Sequence, residues 1–287
     1  MINLIAACTH TLDALKRFWH LETTYKTASN ILILIFLTSL ILIEFNRQGM
    51  LPKMLATHIS HSHFTAIYIA FLLVLYMEII SMIFTLPESM SRALGKQFEI
   101  LALIFLRNAF KQLSDLTEPL SLTHHQDVVY HIFAYGFGAL AIFGLLGCYR
   151  IVLTKPDKRD KTILTGPCLN RFISAKKTMA FCILLIFFGM GVLDLWLISQ
   201  KLNGFDFLQS FYTVLIFSDI LMVFLAQGVL PQFQAVFRNS GYALATLLMR
   251  LSLTTSVYYS VSIGLSAMVF ALLLTIIYNK FYSRLHE

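Results

Sequence analysis

The chain has 287 residues, of which 57% are apolar and only 13% are charged, and its mean hydropathy is +0.73. A soluble globular protein has roughly 45–50% apolar and about 25% charged residues, so this composition excludes an ordinary soluble domain. The net charge of +7 comes largely from one basic loop, and basic loops are typical of the cytoplasmic side of membrane proteins. We therefore expect no nucleic-acid partner.

Residues 1–28 form an N-terminal segment with its own pattern. Apolar residues at Ile2, Ile5, Leu12 and Leu15 fall on one side of a helix, which predicts an amphipathic helix lying in the membrane interface. A short cytoplasmic helix packed on the rest of the protein would explain the same spacing. No basic residue precedes the apolar stretch, so we expect no cleavable signal peptide.

The remaining apolar residues fall in blocks of about 20, which is the length of a membrane-spanning helix. We predict an all-α integral membrane protein with eight transmembrane helices. The predicted spans are 29–46, 63–86, 97–113, 128–150, 177–198, 207–228, 241–254 and 257–280. The third and seventh spans are short, at about 22–26 Å. If both lay in the interface, the protein would have six spans.

The distribution of the 22 Lys and Arg residues favours eight spans with both termini inside. In that topology the outside segments hold four of them, which are Arg47, Lys53, Lys111 and Lys201. With six spans the basic loop 150–177 would face outward, against the tendency of basic residues to stay on the cytoplasmic side. We expect a multi-pass protein of a bacterial inner membrane, surrounded by the lipid bilayer.

The two halves of the chain resemble each other, which predicts two parallel four-helix repeats of the same orientation. In each half Leu-Pro ends a span, and an arginine follows 20 residues after Pro87 and 19 residues after Pro231. Tyr130 in the fourth span also aligns with Tyr258 in the eighth. A chance likeness between apolar segments is the alternative. The predicted repeats are 29–150 and 177–287, joined by a basic cytoplasmic linker at 151–176.

Four charged residues inside the spans define the candidate ion pathway. Glu78 and Arg107 lie at similar depths on adjacent antiparallel spans, and Asp219 and Arg250 repeat this arrangement in the second half. Isolated charges inside a membrane are costly, so each carboxylate is predicted to pair with its arginine. Such pairs either line a polar pathway or only fix helix packing.

Two further acids occupy corresponding places near the outer ends of spans one and five. These are Glu44 and Asp194. We count both among the candidate pathway residues, although each side chain is also close enough to the outer interface to reach water.

Five histidines collect in the predicted outside segments and form a candidate divalent-metal site: His58, His61, His63, His124 and His125. Their spacing matches no established metal motif. A pH-sensing role, or a polar loop without a ligand, explains them equally. His63 and His131 lie near the same outer end of two spans, where two imidazoles are able to ligate a haem.

The cysteines Cys8, Cys148, Cys168 and Cys182 lack metal-type spacing, and we expect free thiols. No hydrolase, kinase, Rossmann or P-loop motif is present, so an enzyme is not expected. Apart from the candidate divalent metal at the histidines, we expect no cofactor.

The predicted function is movement of a proton, a small ion or an ion-coupled small solute between the two halves. Glu78 and Asp219 would bind the ion, and Arg107 and Arg250 would be their counter-ions. One alternative is a non-transporting scaffold subunit whose basic loop 150–177 docks a cytoplasmic protein. Another is a haem-binding electron-transfer subunit. The sequence leaves the oligomeric state open.

Overall fold

The structure is a computed structural model that describes residues 2–50, 52, 62–115, 126–153, 167–200, 206–229 and 233–282. Within these residues all regular structure is helical, which confirms the predicted all-α class. The α-helices of this described part are α1 (Ile2–Trp19), α2 (Glu22–Arg47), α3 (Phe64–Thr85), α4 (Met90–Lys111), α5 (Gln126–Leu153), α6 (Pro167–Ser199), α7 (Phe207–Val229), α8 (Phe233–Ser252) and α9 (Val257–Ile277). A 3₁₀ turn at Gln112–Asp115 follows α4, and a π turn at Tyr278–Tyr282 follows α9.

Six of these helices are long and apolar enough to cross a membrane, namely α2, α3, α5, α6, α7 and α9. Their outward faces carry large apolar side chains. On α5, for example, Phe133, Phe137, Leu140 and Phe143 are each more than half exposed. So much exposed apolar surface is unfavourable in water and is expected against lipid. The molecule is therefore a helical, multi-pass membrane protein.

Helices α2, α4, α6 and α8 each begin seven or more residues before their predicted spans. Helices α4 and α8 have 22 and 20 residues, about 33 and 30 Å, so the prediction of two short helices was wrong. Their first two turns are rich in polar and small residues, which lowers the local hydropathy without breaking the helix. Helix α6 begins at Pro167, inside the predicted basic linker, where a proline suits the first turn of a helix.

Helices α4 and α8 are packed among the others, and each runs antiparallel to the helices before and after it. At the start of α4, the Tyr149 hydroxyl near the end of α5 donates a hydrogen bond of 2.8 Å to the Ser91 carbonyl. Just past the end of α4, Gln112 bonds to His131 near the start of α5. In the second half, the Tyr242 hydroxyl near the middle of α8 forms a hydrogen bond with the Thr275 hydroxyl near the end of α9.

The two halves, α2–α5 and α6–α9, meet mainly where α5 packs against α9 and α4 against α8. Two glycines allow this approach. A Cβ on Gly138 would lie 2.7 Å from Val261 Cγ1, and a Cβ on Gly264 would lie 2.9 Å from Phe105 Cζ. We call this line of contact the glycine seam. Side chains of the other half pack directly against these two glycines because neither glycine has a Cβ.

Helix α1 packs at one end of the bundle, and its predicted position in the membrane interface stays a prediction. Leu12 is 1% exposed, and the Trp19 indole donates a hydrogen bond of 2.8 Å to Ser81 Oγ on α3. Closer to the C-terminal end of α1, Leu15 and Phe18 are exposed. We call this end, where α1 meets the end of α3 and the beginning of α4, the α1 end.

Candidate functional site

The second-half ion pair is fully enclosed by protein. Arg250 on α8 donates from Nε to Asp219 Oδ2 at 2.6 Å and from Nη2 to Oδ1 at 3.1 Å. Arg250 is 0% exposed and Asp219 is 6% exposed. This two-pronged geometry matches the planar guanidinium to both carboxylate oxygens and offsets part of the cost of burying the charges. The predicted pairing of these two residues is confirmed.

The first-half pair has the same form. Both terminal nitrogens of Arg107 on α4 donate to the two carboxylate oxygens of Glu78 on α3, as predicted. Among the described residues, the Arg107 Nε is buried and has no hydrogen-bond partner. A buried N–H of a guanidinium without an acceptor is costly, so this pair is less completely satisfied than the pair of Asp219 and Arg250.

The two pairs lie side by side, which the sequence did not predict. Arg250 Nη1 points across the half interface to the Met82 sulfur on α3, at 3.6 Å. Met82 is one turn beyond Glu78 on the same face of α3, a rise of about 6 Å. Tyr212 on α7 is within electrostatic range of both arginines and of Glu78. We call Glu78, Arg107, Asp219 and Arg250 the charge cluster.

A small cavity lies between the charge cluster and the α1 end, where α4 faces α8. Its polar lining comes from Asp219, Gln97, Tyr242 and Thr246, and the rest is apolar. The space open to the centre of a water molecule is about 20 Å³, enough for one water. Gln97 is 2% exposed, and its Oε1 has no hydrogen-bond partner in the described part of the chain. The cavity thus presents an unused acceptor beside a carboxylate.

Sequence reasoning missed Gln97 and Thr246. The predicted third span begins at Gln97, so this residue was placed at the polar boundary of the span. The first turns of α4, which precede it, were not recognised as helix. A buried amide seven residues inside a helix would have been a signal, but only once the true start of that helix was known.

On the side away from the α1 end, an aromatic cluster packs between the halves. It consists of Tyr76, Phe187, Phe207 and Phe211. The rings of Tyr76 and Phe207 are 5.4 Å apart, and those of Phe187 and Phe211 are 4.9 Å apart, both edge to face. Phe211 is fully buried. These rings close this side of the half interface.

Glu44 and Asp194 lie apart from the charge cluster. Glu44 accepts a hydrogen bond of 2.7 Å from the Gln48 amide and pairs with His63 Nε2 at 3.1 Å. Asp194 has a buried Oδ1 for which the described residues supply no partner, and it is within electrostatic range of Tyr76. Of the two acids, Asp194 is therefore the one that lies near the aromatic cluster.

The histidine predictions are only partly covered by the structure. His58, His61, His124 and His125 lie outside the described residues. His63 pairs with Glu44, whereas His131 bonds to Gln112 at 3.2 Å and packs edge-on against Tyr258. Within the described residues no group of three or more His, Cys, Asp or Glu side chains is arranged to hold a metal ion. The metal and haem sites stay predictions. Cys8, Cys148 and Cys182 are free thiols.

The chain matches no protein-family model, no curated protein and no solved structure. The features of the molecule that bear on its function are the charge cluster and the cavity.

Proposed function

We propose that this protein moves a proton, a small ion or an ion-coupled small solute across a bacterial inner membrane, between its two halves. The observation that carries the proposal is the polar cavity beside Asp219, at the contact of α4 with α8. A pair that served only to fix packing would need no water-sized space beside its carboxylate. Ionisable groups inside a membrane protein most often mark an ion or proton path.

The route begins in the cavity, where a water held by Gln97 and Thr246 brings a proton or ion to Asp219. Neutralising Asp219 weakens its hold on Arg250. The guanidinium is then free to turn toward Glu78, because it already contacts Met82 one turn away on α3. In this scheme the arginines are counter-ions that pass the charge imbalance from one carboxylate to the other. The aromatic cluster closes the path on the far side.

The proposal includes the predicted topology of eight spans, with both termini inside and two parallel repeats. Two observations support it. The antiparallel contacts of α4 and α8 with their neighbours place them alongside the six apolar helices. Each half also buries a carboxylate–arginine pair between its second and third spans. In this orientation the α1 end is cytoplasmic.

The test is ion flux in proteoliposomes containing a pH-sensitive dye, under imposed proton and cation gradients. We expect flux in the wild type and a drop of about tenfold or more in Glu78→Gln and Asp219→Asn. Glu99→Gln is the matched control, because Glu99 pairs with Arg150 at the surface of the same bundle. Its flux should equal that of the wild type.

A third variant protects the test against misfolding. Gln97→Leu removes the unpaired buried amide from the cavity lining without replacing a member of either ion pair, and its flux should fall while its thermal stability is kept or raised. No flux in the wild type under any gradient would reject transport and favour the scaffold alternative. Binding of a cytoplasmic protein to the basic loop 150–177 would then be the next measurement. Absorbance near the Soret band would indicate the haem alternative.

A further inference from the structure

A cluster of lysines at the α1 end is not used by the proposed pathway. Lys16 on α1 and Lys96 on α4 both donate to the same carboxylate oxygen, Glu88 Oε1, at 3.0 and 3.1 Å. Their ammonium groups are thus no more than about 6 Å apart, the sum of those distances. Lys176 on α6 donates to the backbone carbonyl of Glu88 at 3.3 Å. We call Lys16, Lys96 and Lys176 the lysine cluster.

The lysine cluster has a surplus of positive charge. Two ammonium groups share the Glu88 carboxylate and a third lies at the Glu88 carbonyl, whereas Asp13 on α1 pairs with Lys177 at 2.6 Å. The effect reaches His20, whose pKa is lowered by desolvation and then by the charges of Lys16 and Lys96. Like charges held this close repel each other unless an anion lies among them.

Lys176 is the most deeply buried of the three lysines. It is 4% exposed, and no carboxylate in the described part of the chain lies within ion-pairing distance of its ammonium group. Besides the Glu88 carbonyl, its contact is the ring of Phe172, 4.5 Å away. Burial of a charged ammonium is costly without a counter-ion. Packing three lysines around a single acid is therefore a poor arrangement for the protein alone and a good one for binding an anion.

We propose that the lysine cluster binds a phosphate group, supplied by an anionic phospholipid of the surrounding leaflet. Lysines are common phosphate ligands, and clusters of them near a membrane surface bind anionic lipid. The lipid source is favoured because α1 exposes Leu15 and Phe18 beside Lys16. These side chains are suited to insert among acyl chains while Lys16 and Lys96 meet the headgroup. This inference does not depend on the proposed transport function.

The experiment measures binding to the purified full-length protein in a neutral detergent, by thermal shift and by native mass spectrometry. The probes are short-chain phosphatidylglycerol, phosphatidylcholine of the same chain length, and inorganic phosphate. We expect phosphatidylglycerol to raise the unfolding temperature and to remain bound, and phosphatidylcholine to do neither. Lys96→Gln and Lys176→Gln should each weaken phosphatidylglycerol binding about tenfold, the loss of one charge-assisted hydrogen bond.

Lys26→Gln is the control, because it removes one positive charge on α2 that pairs with Glu22 at the surface. Should Lys176→Gln fold poorly, Lys96→Gln decides alone, since the Lys96 side chain is 45% exposed. Equal responses to inorganic phosphate and phosphatidylglycerol, both lost in Lys96→Gln, would support the site and assign it to a soluble phosphate. Equal responses to both lipids, or unchanged phosphatidylglycerol binding by Lys96→Gln, would overturn it.

Discussion

At the scale of single residues, the two buried arginines are satisfied to different degrees. Arg250 uses its Nε and both terminal nitrogens, with Asp219 and the Met82 sulfur as acceptors, and it is completely buried. Arg107 uses only its terminal nitrogens, and its Nε has no partner within the described residues. The pair of Arg107 with Glu78 therefore has less to lose on opening.

Removing the carboxylate of Asp219 should cost much more stability than removing a surface carboxylate. Asp219→Ala leaves a fully buried guanidinium without its counter-ion, which costs about 3–5 kcal/mol of unfolding free energy. Glu99→Ala breaks a pair whose side chains are 39% and 59% exposed, and the cost should stay below about 1 kcal/mol. Unfolding in mixed micelles with increasing dodecyl sulfate measures both. Equal losses would mean that the interior around Arg250 is well hydrated.

The Glu88 carboxylate should make stability depend on pH in the acid range. Desolvation pushes the pKa of Glu88 upward, but the hydrogen bonds and charges of Lys16 and Lys96 together hold it below its ordinary value of 4.5. A lowered pKa in the folded state contributes stability above pH 4.5, which is lost as the pH falls through the lowered pKa.

The measurement is the unfolding temperature from pH 6 down to pH 3, in detergent without added lipid. Glu88→Gln should lose less stability on acidification than the wild type, with Glu99→Gln as control. Parallel curves for Glu88→Gln and the wild type would show that this carboxylate has no net stabilising partner.

At the scale of helices, the sequence predicted the starts of the most apolar helices well and the starts of the central helices α4 and α8 poorly. Helices α3, α7 and α9 begin within one residue of their predicted positions, because a long apolar run has sharp ends. Helices α4 and α8 carry polar residues that are buried against other helices and not against lipid. Hydropathy does not distinguish such burial from exposure at a span boundary, so the first turns of both helices were missed.

The same distinction explains which parts of the site were predicted. The two carboxylate–arginine pairs could be predicted because the depth of a residue in the membrane follows from its position along its helix. A carboxylate and an arginine at similar depth on adjacent antiparallel helices are expected to pair. The meeting of the two pairs depends on how α3 and α8 pack across the half interface, and nothing in a single sequence fixes that contact. The lysine cluster joins three distant segments and was missed for the same reason.

The glycine seam should be sensitive to a single methyl group. Gly264→Ala places a Cβ 2.9 Å from the Phe105 ring, and Gly138→Ala places one 2.7 Å from Val261. Each should destabilise the protein by about 1–3 kcal/mol, because the neighbouring helix must move. Gly136→Ala and Gly144→Ala on α5 are the controls, since a Cβ at either position meets nothing within 4 Å. Dodecyl sulfate unfolding compares all four variants, and equal behaviour would contradict the observed packing.

At the scale of the whole molecule, the halves are joined unevenly. The α5–α9 contact is close and apolar, whereas the α4–α8 contact contains the cavity and borders the charge cluster. Helix α1 adds a third connection by bonding to α3 through Trp19 and to α6 through Asp13. A membrane protein of this design holds its halves together tightly on one side and leaves polar space on another.

Whether α4 crosses the membrane is decided by two labelling positions at its ends. Arg92, in the first turn of α4, and Gln126, the first residue of α5, are both exposed. In a background with all four cysteines replaced by serine, Arg92→Cys should react with an impermeant maleimide only from the cytoplasmic side. Gln126→Cys should react only from the opposite side. Reaction of both positions from the same side would mean that α4 does not cross the membrane and that the protein has fewer than eight spans.

The glycine seam also limits how the two halves can move. Because Gly138 packs against Val261 and Gly264 against Phe105 of the opposite half, the halves cannot slide or separate there without losing close packing. If the halves rock during the proposed transport, the seam would act as the fulcrum. The molecule would then widen on the other side, where Arg250 reaches from one half to Met82 in the other, so that the loss of this guanidinium contact would accompany the opening.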